Sequence, residues 1–275
     1  MNQNEYTKTM LTFADGKLYC EYILNGKPPI LLIHGFVSST YTFNRLIPLL
    51  QKNFSVIAID LLGFGQSEKS TTFIYSYTNY ATLVAEVIAY FQLKNVTIAG
   101  HSMGGQIALY TARKIPEKVN KVILLASSGY LKSANKLLIY SSYLPLFYLI
   151  AKRIVKKQSV GETLKNVLYD HSLLTEEQVE AYGKPLKEKN FYKALVRLLR
   201  YREGDLISEQ LREIQTPALL IWGAEDKVVP LSVGKRLAKD LPHAELITYH
   251  QTGHLVTEER PREIYEQILA FTRDA

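Results

Sequence analysis

Between Val96 and Gly105 the chain reads Val-Thr-Ile-Ala-Gly-His-Ser-Met-Gly-Gly, and a helical pattern of apolar residues follows to about Arg113. A serine set between glycines at a strand-to-helix turn is a nucleophile geometry. The sharp turn carries the hydroxyl of Ser102 to the carboxyl edge of a sheet, and glycine on either side lets the backbone pass closely. The helix that starts there offers free backbone N–H groups and a dipole suited to developing negative charge. A serine hydroxyl is a weak nucleophile at neutral pH, so acyl transfer needs an imidazole to take its proton and return it to the leaving group. Six histidines compete for that role. His254, in Gln251-Thr252-Gly253-His254-Leu255 just past the last strand, falls on the sheet edge where Ser102 belongs. His250 falls at the strand end and reads as structural, His243 and His171 as solvated, His101 as packing beside the nucleophile, and His34 as a brace for its own loop. The imidazole in turn needs a carboxylate to hold one tautomer. Glu225 and Asp226, in the loop after Ala218 to Trp222, are the two candidates.

These residues need a scaffold that delivers them to one edge. The runs TMLTFA and KLYCEYIL, around Asp15-Gly16, read as an opening β-hairpin. Ile30 to Ile33, Phe54 to Ile59, Val96 to Ala99, Val119 to Leu125, Ala218 to Trp222 and Glu245 to Tyr249 are apolar runs with the character of strands buried on both faces. Helical spacing fills the intervals Tyr41 to Leu50, Tyr77 to Phe91, Gly105 to Arg113, Leu231 to Leu241 and Pro261 to Thr272. Repeated βα units give an α/β fold with a mostly parallel central sheet and flanking helices. The rhythm stops from Tyr130 to Gly204, where helical periodicity continues without a buried strand. The sequence therefore predicts a core of residues 1–129 and 205–275 with a helical cap inserted at 130–204.

In this order the motifs resemble the α/β-hydrolase superfamily, and specifically its cap-bearing branch of small bacterial serine esterases and related hydrolases, over nearly the whole chain. Gly100 to Gly105 resembles the nucleophile elbow of that family, His34-Gly35-Phe36 its oxyanion loop, and Asp60-Leu61-Leu62-Gly63-Phe64-Gly65-Gln66-Ser67 its D-x-x-G-x-G-x-S loop. The resemblance implies Asp226 as the acid, since Gly223-Ala224-Glu225-Asp226 is similar to the family's G-x-x-D segment. It makes Asp60 a structural aspartate. It also implies that the backbone N–H groups of Phe36 and Met103 receive the oxyanion. No HGGG sequence is present, a departure from one lipase branch.

The expected activity is hydrolysis of a small to medium carboxylic ester through an acyl-enzyme on Ser102, with no cofactor and no metal. A serine at the elbow argues against the dehalogenase and epoxide hydrolase relatives, which use aspartate there. Three alternatives stay open: a carbon–carbon bond hydrolase of the vinylogous diketone acid type, a cofactor-free perhydrolase, and a small-ligand sensor that does not turn over. The first shares Ser102-Met103-Gly104-Gly105, but where that branch commonly has tryptophan after its histidine this chain has Leu255.

Composition bounds the partners. At 275 residues and 47% hydrophobic, the chain can bury a substantial core. One cysteine, Cys20, and a polar start predict a cytoplasmic protein without an export signal. The net charge is +7, and residues 130–204 hold 14 Lys plus Arg against 7 Asp plus Glu, an excess equal to the whole net charge. No nucleic-acid motif accompanies it, so no nucleic acid partner is expected. The stretch LLIYSSYLPLFYLIA, Leu137 to Ala151, precedes Lys152, Arg153, Lys156 and Lys157. With 15 residues and Pro145 inside, it is too short to span a bilayer. It reads as a lid over the site, with contact to an anionic membrane surface as the sharper alternative.

Overall fold

The computed structural model describes residues 6–157, 159–188 and 190–273. Eight strands form one sheet: β1 (Thr7–Phe13), β2 (Gly16–Ile23), β3 (Pro29–Ile33), β4 (Ser55–Ile59), β5 (Val96–His101), β6 (Val119–Leu125), β7 (Ala218–Gly223) and β8 (Ala244–Tyr249). Their order across the sheet is β1-β2-β4-β3-β5-β6-β7-β8. The hairpin β1–β2 and the β2–β4 pair are antiparallel, and every later pair is parallel. β4, β5 and β7 are buried throughout, as uninterrupted apolar runs require when helices cover both faces. The hairpin turn sits one residue earlier than the Asp15-Gly16 signal suggests. Phe13 pairs with Gly16, so Ala14 and Asp15 make the turn and Gly16, at φ 142°, opens β2.

The interval Tyr41 to Leu50 is two short pieces instead of one helix: a 3-10 turn at Thr40–Phe43 and α1 (Ile47–Leu50). Pro48 has no N–H to donate back to Asn44, so a continuous helical ladder cannot close across it. The longer helices follow the apolar periodicity. α2 (Tyr77–Tyr90) is capped by Ser76, whose Oγ accepts from the Asn79 amide, and it buries Tyr77, Tyr80, Ala81, Val84, Val87 and Ile88. α3 (Met103–Lys114) leaves the end of β5 and packs its amino-terminal turn against β3.

Between β6 and β7 no strand occurs among the described residues. The chain instead forms α4 (Lys136–Ser141), α5 (Phe147–Val155), α6 (Val160–Val167), α7 (Glu176–Gly183), α8 (Phe191–Tyr201) and α9 (Ser208–Arg212), with 3-10 turns at His171–Leu173 and Lys184–Lys187. Capping boxes at Ser159 with Glu162 and at Thr175 with Gln178 start α6 and α7 sharply. α8 anchors this region, burying Phe191, Tyr192, Leu195 and Leu198 in the main core. α6 is held separately, through a small cluster of Leu164, Leu168 and Leu255. The chain ends with α10 (Leu231–Asp240), α11 (Val256–Glu259) and α12 (Pro261–Arg273). The one tryptophan, Trp222, is fully buried and donates its indole N–H to the carbonyl of Val229, fixing the loop that follows β7.

The tightest approach in the fold lies where α3 meets the sheet. A Cβ on Gly104 would come well under 3.0 Å from the carbonyl oxygen of Ile33, and one on Gly100 would meet the carbonyl of Gly104. Backbone, unlike a side-chain tip, cannot swing aside. Gly104→Ala is therefore expected to lower unfolding stability by about 3 kcal/mol, the upper part of the overpacking range. A urea midpoint equal to wild type would show that α3 can lift off β3 without cost.

Candidate active site

Ser102 sits at the junction of β5 and α3 with φ 51° and ψ −119°, a conformation that costs a non-glycine residue about 1–3 kcal/mol. Main-chain bonds hold it there. Its amide donates to the carbonyl of Leu125 at 3.0 Å, and its own carbonyl accepts from Gly105 at 2.9 Å and Ser128 at 3.0 Å. A serine before a helix usually spends its hydroxyl capping the first turn, but at these angles Oγ makes no capping bond. The hydroxyl is left for other use. The N–H of Met103, the first residue of α3, is free of intrahelical partners by its position. The loop after β3 passes alongside, so close that a Cβ on Gly35 would stand 3.0 Å from the Cβ of Ser102. Phe36 follows in that loop, its ring half exposed and edge-on to Phe64 at 5.9 Å.

The loops after β7 and β8 bring a carboxylate and an imidazole together. Asp226 Oδ1 accepts from the amides of Val228 at 2.8 Å and Val229 at 2.9 Å. Its Oδ2 accepts from His254 Nδ1 at 2.8 Å, with both side chains buried. That bond requires the proton on Nδ1 and leaves the Nε2 lone pair open. Glu225 has a different task. Its Oε2 accepts from the Thr252 amide at 3.0 Å, clipping the loop before His254 to the end of β7. His250, expected to be structural, instead has its ring in solvent, 3.8 Å from Glu225, because β8 ends at Tyr249. His171 and His243 are exposed.

No hydrogen bond joins Ser102 Oγ to His254 among the described residues. Their neighbours are joined instead. His101 Nε2 donates to the His254 carbonyl at 2.9 Å, and the two rings lie 4.8 Å apart. Burial, reinforced by the nearby His254, lowers the His101 pKa to about 3. His34 is equally buried. Its Nδ1 donates to the Gly35 carbonyl at 2.7 Å and its Nε2 accepts from the Leu61 amide at 2.9 Å, so it ties the loop after β3 to the loop after β4. Burial lowers its pKa to about 4. Asp60 completes that tie, with Oδ1 accepting from the Thr40 amide and Oδ2 from the Gln66 amide, both at 2.6 Å. Burial raises its pKa to about 6 despite those bonds. Gly65, at φ 50°, is needed there because a Cβ would overlap the Asp60 carboxylate.

Two carboxylates that the sequence reading missed, Glu258 and Glu259 at the end of α11, fasten the helical region to the His254 loop. Glu259 Oε2 accepts from the Gly253 amide at 2.6 Å, and its Oε1 accepts from the amides of Tyr169 at 2.8 Å and Asp170 at 3.0 Å. The His254 amide itself donates to the carbonyl of Val167, at the end of α6, at 2.8 Å. Glu258 is buried and accepts from Tyr182 at 2.5 Å and from Gln178, both on α7. Tyr182 accepts from Thr42, which bonds Ser38 just beyond Phe36. Burial raises the pKa of both glutamates. In sequence they are two adjacent acids shortly before Pro261, a pattern shared with many solvated turns. Among the described residues no group of three or more His, Cys, Asp or Glu is placed to hold a metal ion.

The hydrogen bonds assign tautomers that solution measurement can check. Long-range ¹H–¹⁵N imidazole spectra should show His34 protonated at Nδ1 and His101 at Nε2, with neither ring titrating between pH 8 and about 5. The sign follows from burial, which penalises the cation and pushes both midpoints down. Protonation of either ring near pH 6.5 would mean that the loops around Ser102 admit water.

The family model for the alpha/beta hydrolase fold matches residues 28–261. The chain is 48% identical over 262 residues to the uncharacterized hydrolase YugF of Bacillus subtilis (strain 168), covering 94% of this chain and 96% of that one. It is 26% identical over 261 residues to a 2-hydroxy-6-oxononadienedioate/2-hydroxy-6-oxononatrienedioate hydrolase of Burkholderia vietnamiensis, covering 90% and 88%. The structure resembles that of carboxylesterase CesB (YbfK) from Bacillus subtilis with a TM-score of 0.79, over 98% of this chain and 93% of that one. At 18% identity this last likeness speaks for the fold alone. An eight-stranded, mostly parallel sheet with an opening antiparallel hairpin, matched by the family over most of its length, makes this chain a member of the α/β-hydrolase family and a hydrolase.

Proposed function

We propose that the protein is a serine esterase in which Ser102, His254 and Asp226 act as a catalytic triad. The observation that carries this reading is the buried Asp226–His254 bond, which commits Nδ1 to the carboxylate so that Nε2 is the ring nitrogen left for the base, at the sheet edge where the Ser102 hydroxyl is uncommitted. In the first half-reaction Oγ bonds to the ester carbonyl carbon as its proton passes to His254 Nε2. The N–H groups of Met103 and Phe36 receive the oxyanion. Collapse breaks the bond to the alcohol oxygen, which leaves with the proton from His254. Water then adds to the acyl carbon as it gives a proton to Nε2, and collapse of that intermediate breaks the bond to Ser102 Oγ, which takes the proton back from Nε2 as the carboxylic acid leaves. Asp226 stabilises the imidazolium in both halves. Residues 130–204 serve as the cap that shapes the acyl pocket. Cys20, a buried free thiol, is in keeping with a cytoplasmic location.

Carbon–carbon hydrolysis is the second reading, favoured by the Burkholderia relative and by Ser102-Met103-Gly104-Gly105. Against it stands Leu255, whose side chain packs on Leu164 and Leu168 of the cap where that branch commonly has tryptophan.

The test is turnover of a nitrophenyl ester series with fluorophosphonate labelling. Wild type should turn over many times and label at Ser102. Ser102→Ala should lose activity by about 10⁵–10⁶-fold, and Asp226→Asn by about 10⁴-fold through the wrong His254 tautomer. Labelling without ester turnover would move the search to carbon–carbon substrates. Unchanged turnover in Ser102→Ala would remove the triad.

A further inference from the structure

α4 and α5 bury no residue at all, although they lie in the most apolar stretch of the chain. Eighteen large apolar side chains are exposed among the described residues, and nine of them fall between Leu137 and Ile154. Single exposed leucines are ordinary; a cluster on one short segment marks an interaction surface. Its geometry is ordered. Ile150 and Ile154 lie one turn apart on one stripe of α5, Leu146 is exposed just before the helix begins, and Tyr148 and Val155 on the other side pack against the core. Leu137, Tyr140 and Leu144 extend the surface from α4, at 74%, 72% and 64% exposure. The turn between the helices is firmly seated: Arg200 of α8 donates to the hydroxyl of Ser142 at 2.8 Å and to its carbonyl, and stacks over Tyr143 at 4.2 Å. The apolar stripe is presented by a braced element.

Charge narrows the occupant. Lys152, Arg153, Lys156 and Lys157 are exposed toward the end of α5; Lys152 Nζ reaches over the Tyr192 ring at 5.9 Å, and none of the four makes an ion pair among the described residues. No carboxylate occurs in the sequence between Glu117 and Glu162. A second copy of the chain would set this basic margin against its own like charge in a two-fold contact. A nucleic acid would satisfy the cations and leave the leucines and isoleucines in water. A surface with apolar depth and anionic headgroups satisfies both. No helix among the described residues is long and apolar enough to cross a membrane, so the arrangement lies on the surface.

We propose that the α4–α5 face seats the protein on an anionic lipid surface, with Leu144, Leu146, Ile150 and Ile154 entering the acyl boundary and the four cations at headgroup level. The inference is independent of the chemistry at Ser102. α6 and α7 are bonded to the His254 loop, so a bilayer at α4–α5 meets the side of the cap that is not fixed to the catalytic loop.

The experiment is flotation of the full chain with phosphatidylcholine vesicles, with and without phosphatidylglycerol, read as bound protein and not as turnover. Wild type should bind the phosphatidylglycerol vesicles at least about tenfold more than the neutral ones at low salt, and high salt should abolish the difference. Leu144→Glu with Ile150→Glu, and separately Lys152→Gln with Lys156→Gln and Lys157→Gln, should each cut binding by at least about tenfold with an unchanged circular dichroism melt. Both sets alter exposed side chains, and a melt that did change would be replaced by Leu144→Ser with Ile150→Ser under the same expectation. Wild type left unbound, or binding that neither variant reduces, overturns the proposal. So does a dimer in sedimentation velocity that the apolar variant dissociates, since a second copy would then cover the face.

Discussion

The conformation of Ser102 constrains everything around it. A serine at φ 51° persists only where its surroundings over-determine it, and here three main-chain bonds to Leu125, Gly105 and Ser128 do so. Those bonds require β6 to lie beside β5 and α3 to begin at once, which in turn requires a backbone path that no side chain at 100 or 104 could share. The same geometry turns Oγ away from the helix amides that would otherwise bind it. A strained elbow, two bare positions and a free hydroxyl are therefore one constraint seen from three sides.

Around that elbow the protein buries ionisable groups in a way that fixes their states. His34 and His101 are held neutral by desolvation, and each spends its N–H on a carbonyl of a neighbouring loop. A buried carbonyl left without a donor would cost about 1–3 kcal/mol, so the neutral imidazole is more useful here than a cation that would need a counter-charge. Asp60 is the converse case, a carboxylate whose two oxygens are taken by the Thr40 and Gln66 amides. Between them, His34 and Asp60 set the position of the loop carrying Phe36 relative to the β4 loop, without touching Ser102.

What was legible in the sequence was what local chemistry dictates. The β-strand runs could be read because burial on both faces demands unbroken apolar residues, and the elbow because only glycine tolerates the approach. Asp226 and Glu225 could not be separated by their own residues; the resemblance chose Asp226, and the geometry brings Asp226 to His254 while Glu225 clips Thr252. The region around Tyr41 to Leu50 misled because apolar spacing does not register a proline that breaks the ladder. Glu258 and Glu259 were invisible for a deeper reason: their partners, Gln178, Tyr182 and the amides of Tyr169 and Asp170, lie 76–90 residues away and meet them only in the folded chain. The outward stripe on α5 was equally hidden, since a run that is apolar all round gives no sign of which face the core takes.

Those long-range bonds divide the helical region into two mechanical parts. α6 and α7 share hydrogen bonds with the main chain of Gly253 and His254 through Glu259 and Val167, and with the loop beyond Phe36 through Tyr182 and Thr42. Displacing them would pull on the His254 loop and on the loop carrying Phe36 together. Among the described residues α4 and α5 carry no such bonds; they are attached through α8, by Arg200 and by apolar packing. The side whose outer face is apolar and basic is therefore the part of the helical region whose hydrogen bonds, among the described residues, do not reach the His254 loop.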